Sequence, residues 1–252
     1  MNSQLSIMNY LNIPSRCLIN QKITKKVLLE NTELKASSKK LISNDIQEML
    51  IVASITPETA NINTFIDATY CFDEILFLQV TLRKKDSYSK VAELLQSIIP
   101  YSILIIFQYQ IEVCFNIAEK RINQVDREKR VIENNTFTEW LKVDDEKLNK
   151  FIDSIAFPNL SHNNLKTFYD DVVSRLYNLN TSKITGTFEV KSKDDTKEDI
   201  VILRKIKEIN AEILKLKNNY KKEINFNAKV KLNVKIKKLE KIIMELKKML
   251  LI

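Results

Sequence analysis

Near the end of the chain, Ile202, Ile206, Ile209, Ile213, Leu216 and Tyr220 step by four, three, four, three and four residues. Leu232, Ile236, Leu239, Ile243, Leu246 and Leu250 repeat that stepping. Such spacing lines apolar side chains along one narrow stripe of an α-helix, the seam of a coiled coil. The two seams are out of register, because continuing the first would bring Lys237 to a core position. The helix must therefore break between them, near Ile224, Asn225, Phe226 and Asn227. Each flank spans about 33 Å at the usual helical rise. Near-equal arms predict an antiparallel helical hairpin over residues 200–252.

Charge singles out the same region. Residues 201–252 hold fifteen Lys or Arg against five Glu, a surplus of ten in a chain whose formal net charge is +8. Residues 1–200 therefore net −2, so a nearly neutral body carries a basic arm. Lys, Asn and Ile are all abundant in this chain, so the placement of the lysines carries more information than their number. Along the polar flanks of the predicted helices lie Lys205, Lys215 and Lys222 on the first, and Lys231, Lys235, Lys238 and Lys241 on the second. Lysines so arrayed suit sequence-independent contact with phosphates. The same pattern is also that of a solvated coiled-coil flank.

The body is long enough for a real core: 252 residues, 44% apolar and 29% charged. Only one glycine, Gly186, is present, where average usage would supply roughly eighteen. Phosphate-cradling loops and dinucleotide fingerprints need several glycines for close backbone approach, so neither can be drawn here. Cys17, Cys71 and Cys114 are widely spaced without a CxxC pair, and His162 is the lone histidine. A zinc site is not expected from that set, nor is any cofactor implied. Cys71 and Cys114 read as buried small hydrophobes. His162 has no nucleophile assigned to it and reads as a surface or capping residue. No basic stretch precedes an apolar core at the N-terminus, and no run of about eighteen apolar residues occurs, so the expected location is cytoplasmic.

In chain order, residues 1–35 read as irregular with short regular pieces. Ser37 or Ser38 can cap a helix bearing Leu41, Ile42 and Ile46, before a β-branched run from Met49 to Ile55 that Pro57 ends. Residues 56–72 read as a connection holding a short extended piece. Glu74–Leu82 alternates as a strand, and Tyr88–Ile99 spaces Val91, Leu94, Leu95 and Ile98 as a helix. Ser102–Tyr109 is apolar on both faces, the mark of a covered central strand. Ile111–Ala118 is expected to pair with it, although neither Tyr109 nor Gln110 favours the positive φ of a tight turn. Shorter strands are predicted at Lys129–Ile132 and Thr136–Val143, the latter carrying Trp140. Helices follow from Asp144 and Asp145 through Ile155, and from His162 to Leu176. The whole is an α+β fold: a small mixed or antiparallel sheet flanked by helices over residues 1–178, a polar linker over 179–199 and the hairpin.

Restriction-type nuclease sites need an acid on one strand and an acid and a lysine separated by one position on the next. After Asp73 and Glu74 the strand runs Phe77, Leu78, Gln79, Val80 and Thr81, and the next supplies Glu112, Val113 and Cys114. The set is incomplete. Arg83, Lys84, Lys85 and Asp86 close the strand as a solvated turn would.

Several separate stretches together resemble one bacterial family of unknown function, number 4391 among the domains so catalogued. They are Ile13 and Pro14 with Ile19, Asn20, Lys25 and Lys26; the Ile55-Thr56-Pro57-Glu58-Thr59 corner; Leu82-Arg83-Lys84-Lys85-Asp86; Thr138-Glu139-Trp140; and the terminal basic hairpin. The chain departs from that pattern in its turn near Tyr109 and in a longer tail linker. Members of the family are typically encoded beside DNA methyltransferase and helicase genes, in loci that look like restriction or anti-phage defence islands. The resemblance supplies no catalytic residues. It implies a non-catalytic adaptor subunit of such a complex, with Lys25, Lys26, Arg83, Lys84, Lys85 and the seven arm lysines as candidate contacts to DNA or a protein partner. A divergent metal-dependent nuclease and a self-associating coiled-coil homo-oligomer are the alternatives.

Overall fold

A run such as Ile103–Phe107, apolar on both faces, can be satisfied only between two layers. The computed structural model, which describes residues 7–30 and 34–251, places it there. The first part of the chain holds α1 (Ile7–Tyr10), β1 (Leu18–Lys22), α2 (Lys25–Glu30), α3 (Ala36–Asp45) and β2 (Ile46–Ile55). After a one-turn helix α4 (Pro57–Ala60) come the short strands β3 (Phe65–Ile66) and β4 (Cys71–Phe72), then β5 (Ile75–Leu82). Helix α5 (Tyr88–Ile98) leads to β6 (Ser102–Tyr109), β7 (Glu112–Ile122), β8 (Arg130–Phe137) and β9 (Leu141–Lys142). The remainder is helical: α6 (Glu146–Ser154), α7 (Leu165–Thr185), α8 (Lys193–Lys222) and α9 (Phe226–Met249). The chain divides into two compact units, Met1–Leu176 and Tyr177–Ile252. Part of the expectation for residues 1–35 falls on residues 1–6 and 31–33, outside the described ones.

The fold is mixed α+β. Seven strands form one sheet in the order β1-β2-β5-β6-β7-β8, with β9 also paired to β7. Among the described strand pairs only β5 and β6 run parallel, with Ile75 opposite Ser102 and Val80 opposite Phe107, because α5 carries the chain back between them. Their period-two alternation splits the core. Leu76, Leu78, Val80 and Leu82 of β5 join Ile103, Ile105 and Phe107 of β6 under Val91, Ala92 and Leu95 of α5 and Ile42 of α3. Phe77, Leu104 and Phe115 are buried as well and, by the same alternation, point to the opposite face. There Phe115 meets Phe151 of α6 edge-on, ring centroids 4.9 Å apart. Tyr169 of α7 is buried, and its hydroxyl lies 3.0 Å from the Ala118 carbonyl and 3.2 Å from that of Ile103.

Scarcity of glycine leaves the turns to other residues. The described non-glycine residues with positive φ are Asn12, Asn20, Asn61 and Gln110, and asparagine is the residue that tolerates this region best after glycine. At the Thr56-Pro57 corner, Thr56 and Thr59 close a reciprocal capping box, with Thr59 N–H on the Thr56 hydroxyl at 3.3 Å and Thr56 N–H on the Thr59 hydroxyl at 3.0 Å. The β6–β7 hairpin turns through Gln110 and Ile111, and Gln110 takes φ 53°. That position opposes the side-chain preference read from the sequence; the continuous ladder from Leu104 to Tyr109 against β7 holds it in place.

Several boundaries differ from the sequence reading: Ile46, expected on the helix, opens β2, β7 runs on to Ile122 instead of ending at Ala118, and α7 starts at Leu165 instead of His162. Strand β8 runs unbroken from Arg130 to Phe137 instead of ending at Ile132, because its polar Asn135 is used: the Asn116 amide of β7 donates to the Asn135 Oδ1 at 2.6 Å. Trp140 lies between strands, edge-on to Tyr88 at 5.5 Å. The expected linker over 179–199 is mostly helix, since α7 continues to Thr185 and α8 starts at Lys193. Its polar residues pair with one another. Asn178 donates to Thr196 at 3.1 Å, Thr181 to Asp199 at 3.2 Å, and Lys191 binds the buried Asp199 carboxylate at 2.8 Å. Gly186, at φ 92°, ends α7 with its N–H on the Ser182 carbonyl.

Cys114 and Cys17 are buried and Cys71 is half-buried. Burial pushes the Cys114 thiol up to about 12, the Thr138 hydrogen bonds acting in the opposite sense. Lys120 of β7 is 6% exposed, and its ammonium donates to the Ile99 and Tyr101 carbonyls at 2.8 Å each, tying the α5–β6 connection to the sheet. Burial first, and then Arg130 nearby, bring its pKa down from 10.5 to about 7. Between those values the unfolded chain holds a proton that the native state has released, so this residue's contribution to stability rises with pH. Comparing urea titrations of the parent and Lys120→Met across pH 6–11, we expect the difference in unfolding free energy to shift in the parent's favour from about pH 7 to about 10.5, by up to about 1.4 kcal/mol per pH unit. A pH-independent difference would show that Lys120 does not titrate in that window.

Candidate nucleic-acid and partner interface

Three of the five body cations predicted as contacts, Lys25, Arg83 and Lys84, converge on one helix end. At the C-terminus of α3, where carbonyls are left without helical partners and the dipole is negative, the Lys25 ammonium donates to the Ser43 carbonyl at 2.9 Å and the Ile46 carbonyl at 2.5 Å. Arg83 donates to the same Ser43 carbonyl at 2.9 Å. Lys84 pairs with Asp45 at 3.0 Å. Lys25, lowered in pKa by desolvation and then by Arg83, is thus a structural cap brought together with a residue fifty-eight positions away. Lys26 stays exposed, within 3.8 Å of Glu30 one turn along α2.

Lys85 is engaged differently. Its ammonium binds Glu112 of β7 at 2.5 Å and sits 5.1 Å from the centre of the Trp140 ring. Tyr88 packs edge-on against both Trp140 and Phe137. Glu112, one of the acids considered for metal chemistry, is therefore committed to a lysine, and Glu74 accepts from the Ser54 hydroxyl at 2.5 Å. His162 precedes α7, its Nε2 3.0 Å from the Phe157 carbonyl and its ring 4.7 Å from that of Phe157. Among the described residues no three His, Cys, Asp or Glu side chains gather as metal ligands would.

The arm presents its cations to solvent. Helices α8 and α9 run antiparallel, and Ile206, Ile213 and Leu216 bury against Ile236, Ile243, Leu246 and Leu250. Ile202, Ile209, Leu232 and Leu239 pack partly buried around them, joined by Leu203 and by Ile184 of α7. Of the twelve seam positions, Tyr220 alone stands outside that cluster, 38% exposed. Two ion pairs cross between the helices, Lys217 to Glu240 at 3.2 Å and Lys235 to Glu212 at 2.9 Å. They fix the register from both sides.

All seven arm lysines singled out from the sequence are exposed. Lys205, Lys215, Lys231, Lys235 and Lys238 each immediately precede a seam residue, so each stands on the shoulder of the seam. Lys231, Lys235, Lys238 and Lys241 recur at spacings of four, three and three, which places them along one flank of α9 for about 15 Å. Lys235 is the exception among the seven, since Glu212 holds it. Few acids remain to neutralise the others, because Glu240 takes Lys217 and Lys237 while the Glu223 carboxylate accepts two backbone N–H groups of the turn. Lys217 and Lys237 are not among the contacts read from the sequence; their glutamate lies across the hairpin or one turn away.

A family model described as Domain of unknown function (DUF4391) matches residues 11–243. No curated protein and no solved structure gave a match. No described helix is long and apolar enough to cross a membrane.

The seam carries the arm, and a charge placed in it has no partner. For Ile213→Asp in the full chain we expect the ellipticity of the arm to fall and trypsin to cut within residues 193–249, while the body stays protected. Unchanged helicity and protection would mean that α8 and α9 do not depend on each other.

Proposed function

Because this chain belongs to the DUF4391 family and carries a closed hairpin with its lysines facing solvent, we propose that it is a non-catalytic adaptor subunit of a bacterial DNA restriction-modification or anti-phage defence complex. In this reading the hairpin engages DNA phosphates and docks a methyltransferase or helicase partner, and the sheet-centred body is the scaffold. One observation carries it. The main apolar seams of α8 and α9 are already covered by each other, and lysine is the most frequent residue on the outer face of the arm, with Leu214, Val230, Val234 and Met244 exposed among the lysines. A helix pair built to zip onto a second copy would keep a seam uncovered. A catalytic reading lacks a comparable support, since Glu74, Glu112 and His162 are each engaged by a neighbour.

Phosphate contacts release counterions, so affinity falls with salt at a slope of about 0.9 per contact for duplex DNA. Lys231, Lys238 and Lys241 are the residues to reverse, with Lys235 retained because a glutamate there would face Glu212. In salt titrations with a blunt 20-base-pair duplex, Lys231→Glu, Lys238→Glu and Lys241→Glu combined are expected to weaken binding and reduce the slope of log affinity against log salt by roughly 2 to 3. Co-purification with a DNA methyltransferase and a helicase of the kind expected in such a complex, from cells expressing all three, checks the docking half. An unchanged slope removes the phosphate contacts, and recovery of the chain free of both partners removes the adaptor role.

A further inference from the structure

The tip of the hairpin is built unlike its flanks. Three residues, 223–225, join α8 to α9. The Glu223 carboxylate accepts the Ile224 and Asn225 N–H groups at 2.9 Å each, and the Asn225 side chain caps α9 through the Ala228 N–H at 3.1 Å. Glutamate and asparagine thus make the turn by themselves. Nothing in it requires an apolar side chain, yet Ile224 is 93% and Phe226 76% exposed. Tyr220, left out of the seam, stands one turn back with the Lys229 ammonium 5.7 Å from its ring centre. Lys221 and Lys222 close the last turn of α8. The tip is therefore an apolar point ringed by lysines, and its one nearby acid is folded back onto the backbone.

The geometry points to a wedge for DNA: Phe226 and Ile224 insert against unstacked bases at a fork or gap, while the lysines behind them follow the phosphates. Aromatic side chains stack on bases whatever the sequence, and apolar wedges enter base steps in proteins that distort the duplex. Charge complementarity selects this occupant over an anionic lipid surface, the other partner that an apolar tip with lysines would suit. A bilayer approached end-on would meet only the tip. The lysines instead continue away from it from Lys229 through Lys241, about 18 Å along α9, matching the linear array of phosphates on a strand. This inference rests on the proposed contact between arm and DNA, and adds to it a preference for DNA form.

The test compares the full-length parent with the double variant Ile224→Ala, Phe226→Ala and with Phe226→Trp. Each is titrated against a blunt duplex, a forked duplex of the same sequence, and vesicles containing phosphatidylglycerol. Both tip side chains lie outside the buried seam, so the variants are expected to keep the parent's helicity. We expect the parent to bind the fork at least tenfold more tightly than the blunt duplex, the order that stacking of one base supplies. The double variant should lose that preference while binding the blunt duplex as the parent does, and Phe226→Trp should retain it. Equal affinity of the parent for fork and blunt duplex, or a preference that survives in the double variant, overturns the wedge and leaves the phosphate contacts standing. Absence of blunt-duplex binding by the parent overturns the phosphate contacts and the wedge with them. Vesicle binding lost in the double variant with no change on DNA assigns the tip to a lipid surface and overturns the wedge.

Discussion

Each of the two terminal helices has one continuous apolar stripe on a largely polar cylinder, and water penalises that stripe until another covers it. Everything distinctive about residues 177–252 follows from the way this is done. Ile206, Ile213 and Leu216 meet Ile236, Ile243 and Leu246 within one chain, so the covering partner is always present at the same effective concentration. The cross-hairpin pairs of Lys217 with Glu240 and Lys235 with Glu212 are exposed and add little energy of their own. Their contribution is to reject sliding by a heptad, which would leave both lysines facing the wrong residues. With the main seams covered and the register fixed, the outward chemistry of the arm is dominated by lysine on its flanks, with single exposed apolar residues such as Leu214, Val234 and Met244 between them, and by Ile224 and Phe226 at its tip.

The body solves a different problem. A chain with a single glycine has almost no backbone position free of steric restriction. Asparagine at three described positive-φ positions, a threonine capping box at the first long corner and a glutamine in the β6–β7 turn replace what glycine would supply. Each local distortion is held by a long ladder or a buried helix beside it. The parallel β5–β6 pair, covered on both faces, is what those ladders are built against.

Much of this was legible in the sequence where periodicity carried it. The central strand Ser102–Tyr109 matches its predicted limits, and the seams appear as spaced, because burial imposes a period that composition cannot imitate. Polar pairing was less visible. Asn135 falls between two predicted strands, Asn178 at the edge of the body, and Thr181 and Asp199 within the predicted linker, since a polar residue looks solvated until its partner is known. The candidate contacts divide along the same line. Lys205, Lys215, Lys222, Lys231, Lys238 and Lys241 are exposed as their flank positions imply. Lys25, Arg83, Lys84 and Lys85 proved to hold carbonyls and carboxylates whose approach depends on the folded sheet, and Lys120, the most deeply placed lysine of this group, gave no pattern at all.

Because the partner of each seam lies on the same polypeptide, the arm's solubility depends on keeping both halves. Helix α8 is 30 residues long and would span about 45 Å. A nick or an early stop within α9 would uncover Ile206, Ile213 and Leu216 together, turning a self-contained rod into a helix with one adhesive face. A second copy of the same fragment is the nearest surface able to cover it, so the truncated chain is expected to sediment as an oligomer at concentrations where the intact chain does not. Completeness of the last two dozen residues thus decides whether the same heptads act as internal cement or as glue between molecules.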